Sequence, residues 1–242
     1  MLLPSVLGAL VGLALGGLVN LLADRLPPRD EVPAHATAPL TAPRALRIVA
    51  VEIVLAGTAV YLGLREGFTV FAAVNLIYIS LFVLMAVIDI EHRLVLRSVM
   101  LPAFVFALLE VLFSGRIRPL DALAGFAIGQ IVLTAFYLLG EVYLHFINAR
   151  RGQPVEEVAF GSGDVTLGTF CGLVVGFPRV VPMLIAMIFI GAGLALLFLL
   201  VRLILVRRYE VHIPLPYGPA ILLAATLLLL WGPAVARLFG AR

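Results

Sequence analysis

Long apolar stretches, separated by short segments that contain Arg, Pro or Gly, dominate this sequence. Eight such stretches lie at about 2–22, 45–64, 69–88, 98–114, 119–147, 165–177, 179–206 and 217–236. An α-helix needs roughly 20 apolar residues to cross the hydrocarbon core of a bilayer. The pattern therefore predicts an all-α, polytopic membrane protein with about eight transmembrane helices, and a single integral-membrane domain over 1–242.

Composition agrees with this prediction. Of the 242 residues, 63% are hydrophobic and 13% are charged, and the mean hydropathy is +1.15. Soluble domains are about 45–50% apolar and about 25% charged, so soluble, disordered and disulfide-rich classes are excluded. The single cysteine, Cys171, excludes an intrachain disulfide and any multi-cysteine metal site, and we expect no bound metal.

The seventeen basic residues are all arginine and are scattered singly or in pairs, which indicates membrane topology and no nucleic-acid surface. With the N-terminus outside, the odd-numbered loops and adjoining span ends hold eleven of them: Arg25, Arg29, Arg44, Arg47, Arg93, Arg97, Arg150, Arg151, Arg202, Arg207 and Arg208. These loops are then cytoplasmic. The longest, 28–44, reads as an extended linker without zinc-binding cysteines.

Two carboxylates stand in distinctive settings. Asp89 ends the third stretch in AVIDIEHRLV, and Asp164 precedes the sixth stretch in GSGDVTLG. Taken alone, Asp89 is typical of a solvated interface and Asp164 of a helix N-cap. In the eight-span topology, however, both lie at the cytoplasmic face. Two close aspartates share one proton, so the ionised one can activate water while the protonated one polarises a peptide carbonyl.

Four ordered segments resemble the type IV prepilin peptidases, which are GxGD-type aspartyl proteases of type IV pilus and type II secretion systems. They are GLVNLLADRLP at 17–27, AVIDIEHRLV at 86–95, GSGDVTLGTFCG at 161–172 and PLPYGPAILLA at 214–224. The resemblance implies that Asp89 and Asp164 are the catalytic pair, and that Gly161 and Gly163 permit close approach of a substrate chain.

Further residues are expected to support this site or bind the substrate. Asn20 and Arg25 match the first family segment, Glu52 stands where the family commonly has a glutamate, and His92 and Arg93 follow the first aspartate. Elsewhere, we expect Glu110 to be interfacial, and Glu141 to pair with His145 on one helix face.

The sequence departs from the family pattern at three places. Leu96 and Arg97 replace a Pro-Asp or Pro-Asn pair, Thr166 replaces a lysine, and the first loop lacks paired C-x-x-C motifs, so no structural zinc is expected. Many members also methylate the new N-terminus, which would add S-adenosyl-methionine as a cofactor. Proteolysis itself needs none.

The resemblance implies a membrane aspartic endopeptidase of the bacterial inner membrane, with its active site facing the cytoplasm. Its partners would be the lipid bilayer and a prepilin or pseudopilin carrying a basic leader and an apolar helix. Two alternatives stay open. One is a catalytically silent relative acting in assembly. The other is a proton-coupled transporter, disfavoured because the acids cluster at one face and no inverted repeat is visible.

Overall fold

The computed structural model describes residues 2–27, 44–150, 161–205 and 217–238. Within these ranges the chain forms eight helices and no strand, as the apolar pattern predicts. The helices are α1 (Leu2–Arg25), α2 (Arg44–Glu66), α3 (Val70–His92), α4 (Arg97–Phe113), α5 (Pro119–Arg150), α6 (Ser162–Val175), α7 (Val180–Leu205) and α8 (Gly218–Leu238). Apart from Arg44, the predicted linker at 28–44 lies outside the described residues.

Five of these helices are long and apolar enough to cross a membrane: Ser5–Arg25, Arg44–Glu66, Val70–His92, Pro119–Ala149 and Val180–Val201. The prediction of an all-α, polytopic membrane protein is thus confirmed. The other three helices are shorter than a full membrane span or are interrupted. The α4 helix has 17 residues, α6 has 14, and α8 contains a non-helical residue at Trp231.

The chain divides into two compact units, Met1–Phe106 and Ala107–Arg242. In the first unit α1 lies along α2, and both contact α3. Glycines at positions 8, 12 and 16 form one stripe of α1, where a Cβ at Gly12 would overlap the backbone of Leu55 and Ala56. Small residues spaced by four allow such close packing of helices in lipid. The α3 helix supplies much of the core, including Tyr78 and Phe82.

In the second unit α5 packs along α6, and α6 and α7 pack on α8. The α5–α6 contact is again made by glycines, because a Cβ on Gly125 would overlap the carbonyl of Gly172. Cys171, next to this contact, is completely buried and fills the space there as a small apolar side chain.

Two predictions about polar side chains were wrong. Glu110 is buried rather than interfacial, because the Arg116 side chain binds its carboxylate, with Nε 2.8 Å from Oε1 and Nη2 3.0 Å from Oε2. Arg116 also donates to the Val174 carbonyl, which ties the end of α4 to the end of α6. Among the described residues, Glu141 and His145 do not form the predicted ion pair. The His145 ring instead contacts the ring of Phe146 edge-on.

Candidate active site

Asp89 lies in the last turn of α3, in the first unit, and is 7% exposed. Its carbonyl accepts a hydrogen bond from the backbone amide of Arg93 at 2.9 Å. Arg93 ends the helix in the left-handed conformation, with φ 55° and ψ 36°. This conformation is uncommon outside glycine, and it turns the chain sharply away from the helix axis. The first candidate aspartate is therefore held in a buried helix end.

Asp164 lies in the first turn of α6, in the second unit. The helix begins at Ser162, so Gly161, and not Asp164, occupies the N-cap position. The Asp164 carboxylate instead reaches back and accepts a hydrogen bond from the Gly161 amide at 3.0 Å. Burial raises the pKa of the Asp164 carboxyl, and the hydrogen bond from the Gly161 amide offsets part of that rise. Gly163 lies between them and is partly buried, like Gly161.

The remaining predicted site residues of the first unit lie near the same end of its helices. Asn20 is buried in α1, and its side-chain amide donates to the Ile48 carbonyl at 3.4 Å. Arg25 is exposed at the end of α1, and Glu52 is partly buried in α2 opposite Gly16. Among the described residues, the acid nearest to the His92 imidazole is Glu91, whose Oε2 lies 3.9 Å from Nε2.

Thr166 occupies the position where the resemblance expects a lysine. Thr166 is exposed, and its hydroxyl donates a hydrogen bond to the Ser162 carbonyl, one turn earlier in α6, at 3.1 Å. The second turn of α6 thus begins with a neutral side chain at this position. Among the residues that the structure describes, no three His, Cys, Asp or Glu side chains are grouped so that they could hold a metal ion.

The family model of the type IV leader peptidases matches residues 76–198, about half of the chain. The chain belongs to the type IV leader peptidase family. The matched region of this family member includes both Asp89 and Asp164, and it runs from the middle of α3 into α7.

This leader peptidase family member is similar to curated proteins named prepilin leader peptidase/N-methyltransferase. It is 28% identical over 198 residues to the protein of Aeromonas hydrophila, which covers 81% of this chain and 62% of that relative. It is 27% identical over 190 residues to the protein of Pseudomonas aeruginosa, covering 78% and 60% respectively. The chain thus spans about 60% of the length of these relatives. No solved structure gives a significant match.

Sequence reasoning missed an ionic cluster in the first unit of this family member. Arg47, which begins the second turn of α2, donates to Asp24 of α1 at 2.6 Å and to Glu91 of α3 at 2.8 Å. Arg44 also binds Asp24. A sequence signal existed: positions 8, 12, 16, 20 and 24 of α1 repeat every fourth residue, so Asp24 continues the glycine stripe that faces α2.

Proposed function

We propose that this protein is a membrane aspartic endopeptidase that removes the basic leader from type IV prepilin-like proteins. Asp89 and Asp164 are its catalytic pair, and the reaction takes place at the cytoplasmic face of the bacterial inner membrane. The observation that carries the proposal is the match to the type IV leader peptidases over residues 76–198, because this region holds both aspartates in their expected motifs.

The settings of the two carboxylates suit this chemistry. Asp89 is buried at the end of one helix, and Asp164 is partly buried at the start of another, where its carboxylate accepts a hydrogen bond from the Gly161 amide. Two such carboxyl groups share one proton when they come close, so that one serves as the acid and the other as the base. The arginines that begin and end helices on the side of Asp89 support a cytoplasmic position for that side.

The proposed reaction needs one proton shared by the pair. The ionised aspartate accepts a proton from water, and the resulting hydroxide oxygen bonds to the carbonyl carbon of the scissile peptide. The protonated aspartate donates to the carbonyl oxygen, which stabilises the developing negative charge. When the tetrahedral intermediate collapses, the C–N bond breaks and the aspartate that accepted a proton from water passes it to the leaving nitrogen. The pair then again holds one proton. The substrate helix lies in the bilayer, and Gly161 and Gly163 leave room for its leader junction.

The decisive experiment measures leader removal from a prepilin-like substrate by the purified full chain in detergent or lipid. Wild type is compared with Asp89→Asn and Asp164→Asn, because both variants keep the side-chain volume and remove the ionisable group. We expect cleavage by wild type and a loss of at least about 100-fold in each variant. Cleavage that persists in both variants would reject the aspartate pair. A wild type that cleaves none of several substrates would favour a silent relative acting in assembly.

N-methylation is a second candidate activity, favoured by the full name of the relatives. Mass spectrometry of the cleaved product tests it when S-adenosyl-methionine is supplied, because methylation of the new N-terminus adds the mass of one methylene group. The described residues assign no binding site for that cofactor.

A further inference from the structure

Arg47 is the most buried arginine among the described residues of the first unit. Its side chain is 8% exposed, although it belongs to the second turn of a helix that begins only three residues earlier. It bridges two carboxylates on two other helices: Nη2 lies 2.6 Å from Oδ1 of Asp24, and Nη1 lies 2.8 Å from Oε2 of Glu91. One side chain of α2 thereby joins the end of α1 to the end of α3.

Charge in this cluster is balanced. Asp24 and Glu91 supply two negative charges, and Arg44 and Arg47 supply two positive ones. A charge-balanced cluster offers little attraction to a charged substrate. A guanidinium is also a rigid planar fork, and two bonds from it fix direction as well as distance. The cluster is therefore suited to holding three helix ends in a set arrangement.

The helix end that it holds is the one that carries Asp89. Glu91 follows Asp89 by two residues, and the backbone closes on the Asp89 carbonyl through the Arg93 amide at 2.9 Å. The last turn of α3 is thus fixed from outside through Glu91 and from within through Arg93. Without the bond between Glu91 and Arg47, the last turn of α3 would fray, as helix ends commonly do.

We infer that Arg47 is a positioning residue, which sets the place of Asp89 by holding Glu91 against Asp24. The catalytic consequence rests on the proposed peptidase function, whereas the structural part does not. A misplacement of about 1 Å at a reacting group can cost about 100-fold in rate. Loss of Arg47 should therefore lower kcat, whereas KM should stay unchanged because Arg47 does not touch the substrate.

The test compares Arg47→Gln and Glu91→Gln with Arg65→Gln in the full chain. Arg65 is a matched control because it belongs to the same helix, at its other end, and donates to the exposed Tyr61 hydroxyl at 3.0 Å. Two quantities are measured: kcat and KM for leader removal, and hydrogen exchange of the backbone amides in residues 86–93. We expect Arg47→Gln and Glu91→Gln to lower kcat about 10- to 100-fold and to accelerate exchange. Arg65→Gln should change neither quantity.

The double variant of Arg47→Gln and Glu91→Gln should lose no more activity than either single variant, because both remove the same bond. Arg47→Lys, which keeps the charge but not the fork, should restore part of kcat, and it serves as the test variant if Arg47→Gln does not fold. The inference is overturned if Arg47→Gln or Arg47→Lys matches wild type in exchange and kcat, or if Arg65→Gln is equally impaired. An inactive wild type whose α3 end loosens in Arg47→Gln would reject the peptidase and retain the positioning role.

Discussion

The carboxylate of Asp164 accepts a hydrogen bond from the amide of Gly161, with 3.0 Å between Oδ2 and the nitrogen. One side chain therefore has two functions that can be separated: it closes the first turn of α6, and in the proposed reaction it exchanges a proton. Asparagine keeps the acceptor oxygen, whereas alanine removes it.

We expect Asp164→Asn to retain the thermal stability of wild type and to lose leader removal. Asp164→Ala should lose activity to the same extent and in addition destabilise the protein by about 1 kcal/mol, because the Gly161 amide loses its partner. Thermal unfolding followed by circular dichroism, together with the cleavage assay, checks both. Equal stability of the two variants would show that the hydrogen bond contributes nothing measurable.

The pH dependence of kcat/KM should be bell-shaped. Below the lower apparent pKa of the pair both carboxyl groups are protonated, so no base is left to activate water. Above the upper apparent pKa both are ionised, so no acid is left to polarise the carbonyl. Initial rates across the pH range of the stable protein measure this, with circular dichroism as the control for unfolding. A rate that depends on a single ionisation would contradict a shared proton.

Removal of Arg116 should destabilise the second unit strongly. Arg116→Gln leaves the buried Glu110 carboxylate without its cation, which costs about 3–5 kcal/mol. The matched control is Arg118→Gln, which breaks the exposed ion pair with Asp121 and should hardly change the unfolding midpoint. Adding Glu110→Gln to Arg116→Gln should recover part of the loss, since the buried charge is then gone. If the Arg116 and Arg118 variants unfold alike, the Glu110 pair is not a major stabilising contact.

The glycine stripe of α1 predicts an unequal response to the same substitution. Gly12→Ala should destabilise the protein by about 1–3 kcal/mol, because the new methyl group meets the α2 backbone, which cannot move aside as a side chain can. Gly57→Ala is the control: nothing lies within 4 Å of its Cβ position, and alanine is the better helix former. Unfolding midpoints in one detergent give the comparison. A Gly12→Ala variant as stable as Gly57→Ala would exclude close packing of α1 on α2.

Sequence predicted the helices well because the bilayer imposes a length and an apolar composition on each span. It also selected Asp89 and Asp164 as candidates, because their motifs are local, and their catalytic role stays a prediction. It missed what depends on partners distant in the chain: Arg47 joins residues 23 and 44 positions away. Glu110 was misassigned because its cation follows six residues later, across a turn that brings Arg116 back over the helix end. The four-residue repeat in α1 was the one local sign of such a contact.

The complete burial of Cys171 makes this chain convenient for thiol chemistry. A reagent that cannot enter the folded core will ignore the native sulfur, so new cysteines can be added without first replacing it. Ile90→Cys and Ser162→Cys would place two reactive thiols at exposed positions next to Asp89 and Asp164. Spin labels on these cysteines, or cross-linkers of graded length, would then measure the distance between the two motifs in the active protein.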